Sequence, residues 1–465
     1  MAHLSPNHFL ALPRPGVLVG LPAGVVDTTT LAAHDFDVDT RTGFMPPDPP
    51  LVRLPTQWEP WEQLLDDAQV HRLQLGSKYD ITDEEVIQSE SWRARVRQSH
   101  ALPTVDLCPS ELLLRRAHQI RVPAPITVPL LEVCAQLQLP PVITYSDDVL
   151  YNWALKVPSE EPIPALDNLR SLTLFTGTRD EEEFYLTSAR IELRGVDALE
   201  IMRAMMDELF VGDALAARRI TRYLHSLARV LDDLTRILLA VRDGCNPDVF
   251  YHSIRPWFNG CRLWHAQLLA FPDELSGPSA AQSALIHALD VFLGVDHTST
   301  PSSSPTLELA PTSGAAASAH VPPKAPFLVR MRAYMPRHHR NFLRHLAAAP
   351  RPLRAAVERT GDATLTDAYN AALAGLRRLR DAHLRIVTLY IVGPSHRPPP
   401  ASLAATLTVQ AKVATGEVKD GFANGTCMGS DPTLLRGTGG TDLIRFLKGV
   451  RDRTSEAALE LDSST

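Results

Sequence analysis

Apolar positions along the chain change their rhythm near residue 181. Before it, short apolar runs are broken by proline; after it, apolar residues return every third or fourth position, the repeat of an amphipathic helix. The spacing predicts helices over 182–209, 213–243, 247–258, 281–294, 325–348, 351–359 and 364–392. In the second of these, Ile220, Leu224, Leu227, Leu231, Leu234, Leu238 and Val241 step by fours and threes and mark one buried face. Upstream, residues 1–31 show neither rhythm and are expected to form a loose extension. The proline-rich text from Asp35 to Pro55 is expected to run extended along a surface, because proline bars a helix there. Helical spacing from Trp58 to about Ser99, a short helix over 110–118, proline-punctuated short elements over 122–153 and a strand over 171–177 complete the first part. The pattern predicts a mainly α protein, with a small mixed α/β domain over 32–178 and a large helical domain over 179–465.

Two stretches fall outside this scheme. Residues 296–323 are Ser, Thr, Pro and Ala with almost nothing to bury, which predicts a disordered insertion between helices. Residues 394–437 carry proline and glycine clusters and are expected to form a long loop, ending in the glycine-rich GTGGTD (437–442) that feeds a terminal helix.

Composition narrows the class of protein. The net charge of −7 leaves no basic footprint for a nucleic-acid partner. Five scattered cysteines, with no CxxC pair, read as reduced thiols and point to the cytoplasm. No uncharged apolar run is long enough to span a membrane, so no membrane partner is expected. Walker loops, GxSxG, HExxH and Cys/His zinc spacings are absent from the sequence. His338 and His339, flanked by Arg337 and Arg340, read as a solvated helix start.

Two positions carry candidate chemistry. In the helix 364–392, Leu365, Tyr369, Ala372, Leu376, Leu379, His383, Ile386 and Tyr390 recur at spacings of 4, 3, 4, 3, 4, 3 and 4. His383 therefore sits on an apolar stripe, where a buried imidazole must still satisfy its nitrogens. On spacing alone, a core histidine bonded to a backbone carbonyl and a metal ligand both satisfy that demand. Arg255 lies among Phe250, Tyr251, Trp257 and Phe258. Such a guanidinium suits an aromatic amino acid, with rings around its side chain and a fork on its carboxylate, and equally suits stacking at a helix contact.

The strings TGFMPP (42–47), LPPVITYSDDVLYNW (139–153), FYLTSARIE (184–192), IRPWFNG (254–260), GPSAAQS (277–283), LDVFLG (289–294), MRAYMPRHHRNFL (331–343), LRDAHLRIVTLYI (379–391) and GTGGTDLIRFLK (437–448) follow one another in a telling order. Together they resemble the indoleamine 2,3-dioxygenase family, particularly its fungal branch, over about residues 32–455. The resemblance implies haem b held between the two domains, the small one capping the distal side. It implies His383 as the proximal iron ligand, with Asp290 and Arg380 as a buried ion pair behind it. Ser188 matches a distal-pocket serine close to bound oxygen. Tyr145, Val149, Phe184 and Tyr185 match the pocket wall. Phe250 and Arg255 match the ring and guanidinium that hold the substrate, with Phe258, Ser279 and Ala280 around it. Thr438 matches a residue that closes over the amino acid's polar end.

The implied reaction inserts both atoms of O2 across the indole C2–C3 bond of L-tryptophan, giving N-formyl-kynurenine, the first step of a kynurenine route toward NAD. The implied partners are L-tryptophan, O2 and an electron donor that keeps iron ferrous, in a monomeric protein. The alternative is an oxygen-binding haem protein of the same fold without catalysis. Asp148, Tyr185 and Tyr251 depart from the animal members, which carry a neutral residue at the first and phenylalanines at the other two. Between His118 and Val122, around Gln119–Arg121, the chain also lacks an apolar helix that the family inserts.

Overall fold

The computed structural model describes residues 33–70, 91, 124–161, 163–258, 275–297, 326–349, 351–397 and 443–460. The expected extension 1–31, the helix 110–118, the shortened segment 118–122, Thr438 and most of the stretches 296–323 and 394–437 lie outside them.

Over the first described segment, only part of the chain follows the expectation of a surface path. Asp39 turns the backbone by accepting hydrogen bonds from the Arg41 and Thr42 amides at 2.7 and 3.2 Å. Val38, Phe44 and Met45 are buried, and Phe44 packs edge-on to Phe342 at 5.5 Å between ring centroids. The exposed run begins further on, at Leu51, Val52 and Leu54. Helix α1 (Glu59–Val70) follows. Next in the described chain is α2 (Ala124–Leu137), fourteen residues long where short elements were expected. Pro125 sits in the first turn, where its missing N–H costs nothing, and Pro129 removes one further bond without ending the helix.

The strand predicted over 171–177 does not form. Its backbone donors are captured by side chains: Asn152 Oδ1 accepts from Leu172 and Thr173, Glu182 from Ser171, and Glu181 from Phe175 and Thr176. A ladder needs those amides, so the only sheet among the described residues is β1 (Ala154–Leu155) antiparallel to β2 (Leu169–Arg170), with Ala154 opposite Arg170.

From residue 179 onward the described residues are mainly helical. Thr178 caps α3 (Arg179–Arg194) by accepting the Glu181 amide at 3.3 Å. The predicted single helix over 182–209 is divided at Gly195, after which α4 (Val196–Val211) begins. A Cβ at Gly195 would lie 2.2 Å from Leu285 Cδ2, so glycine lets another helix press into the bend. Asp213 caps α5 (Ala214–Ala240), whose Ile220, Leu224, Leu227, Leu231 and Leu234 are buried as the stripe required. Next, Ser283 caps α6 (Ala284–Phe292).

Proline divides the predicted helix 325–348 into α7 (Phe327–Met331) and α8 (Arg337–Ala347), the break falling at Pro336. His339, expected in solvent, is buried edge-on to the Phe44 ring at 4.9 Å, because the 42–45 turn covers that face. Helix α9 (Leu353–Thr360) leads to α10 (Ala363–Val387), capped by Asp362, and the C-terminal α11 (Leu443–Glu456) packs beside α10. Helices α5 and α10 form the main pair of the core. Gly375 permits their close approach, since a Cβ there would lie 3.1 Å from Leu231 Cβ.

Among the described residues, three five-residue π turns interrupt this helical scheme: Ser146–Leu150, Phe250–Ile254 and Thr388–Val392. The predicted helix 247–258 is in fact one α turn, the second π turn and a 3-10 turn over Arg255–Phe258. Each π turn lies in a segment that carries candidate site residues.

Candidate functional site

Helix α10 brings His383 to the middle of the molecule, between buried Leu379 and Ile386. His383 as a whole is half-buried. Burial, and secondarily the positive charge of Arg380, pushes its pKa down to about 4, which keeps it neutral. The imidazole makes no hydrogen bond to any described residue, so the backbone-bonded core histidine admitted by the spacing is not what the structure holds. A neutral imidazole with a lone pair and no partner fits a metal ligand. No group of three or more His, Cys, Asp or Glu able to hold a bare ion occurs among the described residues.

Three residues before His383, Arg380 is paired with Asp290 of α6 at 2.5 Å. The Asp290 carboxylate also meets His297 Nε2 at 3.0 Å, and Arg380 donates to Thr454 Oγ1 of α11. Burial alone would raise the Asp290 pKa, but Arg380 and His297 together hold it below the usual carboxylate range. The ion pair expected from the resemblance is thus present as a four-residue buried network. His297 was not foreseen; it lies at the edge of a Ser/Thr/Pro-rich stretch, where nothing in the sequence marks it.

On the other side, the expected aromatic residues converge. Phe184 lies 4.6 Å from Phe250 and 5.7 Å from Phe258, and Tyr185 lies 6.0 Å from Phe258, all between ring centroids. Phe250 meets Tyr390 edge-on at 5.7 Å. These rings share one cluster with Ile386 and Tyr390, one and two turns beyond His383 on the same stripe. Arg255 stands over the Tyr251 ring at 5.4 Å, and its burial lowers its pKa. Tyr145 and Val149 belong instead to the main core, reached across α3. Ser188 is half-buried in the middle of α3, near the Tyr145 hydroxyl. Ser279 and Ala280 form the tip of the loop before α6 and remain accessible.

Sequence reading also passed over Glu192, which is 1% exposed and accepts hydrogen bonds from Tyr145 Oη at 2.9 Å and Ser283 Oγ at 2.6 Å. A signal for it existed. Glu181, Tyr185, Ser188 and Glu192 recur at spacings of 4, 3 and 4, a polar stripe along a helix that is otherwise buried on that side.

A family model described as indoleamine 2,3-dioxygenase matches residues 32–457. The chain belongs to the indoleamine 2,3-dioxygenase family. It is similar to indoleamine 2,3-dioxygenase of Saccharomyces cerevisiae, at 32% identity over 91% of this chain and 93% of the relative. It is also similar to indoleamine 2,3-dioxygenase 1 of Mus musculus, at 29% identity over 92% of this chain and 95% of the relative. A third relative, 6-hydroxytryptophan 2,3-dioxygenase of Fusarium equiseti, is 29% identical over 93% and 98%. The mainly helical fold and membership in this family make the chain an oxidoreductase of the dioxygenase class. No helix among the described residues is long and apolar enough to cross a membrane.

Asp148 is the departure from the animal indoleamine 2,3-dioxygenases with a measurable consequence. The residue is 6% exposed, its side chain makes no hydrogen bond to a described residue, and burial, with Asp147 and Glu181 nearby, raises its pKa from 3.8 to about 8. The folded chain keeps this proton up to about pH 8, while the unfolded chain loses it near pH 4. Stability from this group is therefore complete below pH 4 and lost as pH rises toward 8, by at most about 1.4 kcal/mol per pH unit. Asp148→Asn is expected to gain stability over the parent progressively across that window in urea unfolding. A gap between the two proteins that stays constant with pH would contradict this.

Proposed function

We propose that the chain opens the indole ring of L-tryptophan with O2 to give N-formyl-kynurenine, on a haem b held by His383. The single observation that carries this reading is the neutral imidazole of His383, with no hydrogen-bond partner among the described residues and with Arg380 and Asp290 behind it. Haem, when bound, would supply a ferrous iron that activates O2, while the four electrons that reduce O2 come from the indole C2–C3 bond itself; a separate electron donor would keep the iron ferrous. His383 holds the metal, and the Asp290–Arg380–His297–Thr454 network fixes the helix that presents it. We assign Phe184, Tyr185, Phe250 and Phe258 to the wall around the indole, with Tyr145 and Val149 behind Ser188. Ser279, Ala280 and Thr438 are assigned to the substrate's polar end, and Arg255 to its carboxylate. The matched pocket residues include no acid/base pair, so the chain contributes orientation and exclusion of water. The cytoplasm is the proposed location and a small domain over 32–178 the proposed cap.

An amino-acid clamp made by Arg255 and Thr438 has no use in a protein that only stores oxygen, which favours the catalytic reading over the oxygen binder. Arg255→Ala is expected to retain haem while raising the Michaelis constant for L-tryptophan about 10- to 100-fold, the worth of a charge-assisted hydrogen bond. Steady-state formation of N-formyl-kynurenine measures it. A Michaelis constant close to that of the parent would remove Arg255 from the site.

A further inference from the structure

We propose that Glu192 is the positioning residue that locks the loop 276–283, and with it Ser279 and Ala280, against α3 on the substrate side of the site. The inference rests on the proposed function for what the loop contacts, but the lock itself is a matter of geometry. One oxygen of Glu192 receives two donors, Tyr145 Oη and Ser283 Oγ, from two different parts of the chain. A carboxylate oxygen has the lone pairs to accept both. The same loop is tied at two further points. Gln282 Oε1 accepts the Tyr145 amide at 2.8 Å while its Nε2 donates to Gly277 O at 2.8 Å, and the Ser276 amide donates to Tyr334 Oη at 2.9 Å. Everything in the loop except its tip, residues 278–281, is buried. The fastenings therefore converge on leaving Ser279 and Ala280 presented and immobile.

Glu192 is the only one of these fastenings that joins the loop to α3, the helix bearing Ser188, Phe184 and Tyr185. Ser188 lies one turn before Glu192 and near the Tyr145 hydroxyl, so the same carboxyl settles where that phenol stands relative to the serine. Its reach extends to the other side of the site. Ser283, which donates to Glu192, also accepts the Ile286 amide as the cap of α6, and α6 carries Asp290 two turns later. The arrangement carries a cost: the second oxygen of Glu192 is buried without a partner among the described residues, and burial raises the pKa to about 7. A residue serving only to fill the core would avoid that cost.

The test compares Glu192→Leu, Glu192→Gln and Tyr145→Phe with the parent as the full, haem-supplemented chain, by hydrogen exchange and by L-tryptophan kinetics. Glu192→Leu is expected to speed exchange of the 277–283 amides at least about tenfold with α5 unchanged, and to raise the Michaelis constant about tenfold with the turnover number within about threefold. Glu192→Gln keeps an oxygen that accepts both donors and is expected to restore both readouts. Tyr145→Phe removes one donor and is expected to shift the exchange in the same direction by less, which preserves the test if the leucine variant fails to fold. Parent-like exchange at 277–283 in Glu192→Leu and Tyr145→Phe, or failure of glutamine to rescue, overturns the lock. A parent that binds haem but forms no product would overturn the proposed reaction instead, and the exchange data would still decide the role of Glu192.

Discussion

Haem uptake by His383→Ala is expected to fail, with no Soret band after supplementation where the parent gains one. The expectation follows from the lack of alternatives around that ring. Among the described residues there is no second cluster of donors to hold the iron, and the residues on either side of His383 along the stripe, Leu379 and Ile386, are hydrocarbon. An apolar slot binds a porphyrin face weakly once the axial bond is lost. The neutral state of the imidazole leaves no proton to displace before it ligates, so uptake by the parent is expected to proceed at neutral pH. A glycine at the same position, supplied with free imidazole, is expected to recover the band, because a ring-sized hole in a packed core accepts the missing ring. Full haem content in His383→Ala would show that another residue holds the iron and would undo the assignment.

The second large effect is on stability. Asp290→Ala is expected to cost about 3–5 kcal/mol in urea unfolding, since it leaves the Arg380 guanidinium buried with no counter-charge. Asp290 and Arg380 side chains are 5% and 10% exposed, so water cannot take over the lost interaction. The companion change Arg380→Met in the same chain is expected to recover much of that cost, as removal of both charges leaves nothing unpaired. A double-mutant cycle reads this directly, and additive losses would show that the two residues act independently. Because Asp290 is held ionised by its partners, acid is expected to erase the interaction as pH falls through its lowered pKa.

How much of the fold and the site is legible in the sequence depends on where each feature's cause resides. His383, its stripe and the α5 stripe were legible because helix periodicity is local and survives whatever packs against it. The division at Gly195 was not, because its cause is Leu285, ninety residues away. The missing strand at 171–177 has a similar origin. Its alternation looked extended, but the amides belong to Glu181, Glu182 and Asn152, and side-chain capture of a backbone is invisible to a period of two. The N-cap at Thr178 could have been read from Thr-x-x-Glu, and would have moved the predicted helix start back to its true position. The burial of His339 depended on the 42–45 turn folding over it, again a long-range matter. Of the candidate site, the residue types were readable from strings in order; Glu192 was marked only as the end of a polar stripe, and His297 became visible only through its partners.

The three π turns tie chain length to the site. A π turn holds one residue more than the α turn it replaces, and helices that contain one differ from a regular helix by a single inserted residue. Loss of one residue from 388–392, 250–254 or 146–150 would let the segment close as ordinary α-helix, at little expense to the bundle. Because the π turn itself absorbs the extra residue, its loss would re-aim the side chains in and next to the turn. Tyr390, Arg255 and Val149 would face elsewhere while the helices that flank them stayed in place. Deletions and insertions of a single codon, rather than substitutions, are thus the coarse adjustment by which a lineage of such chains can retune its pocket.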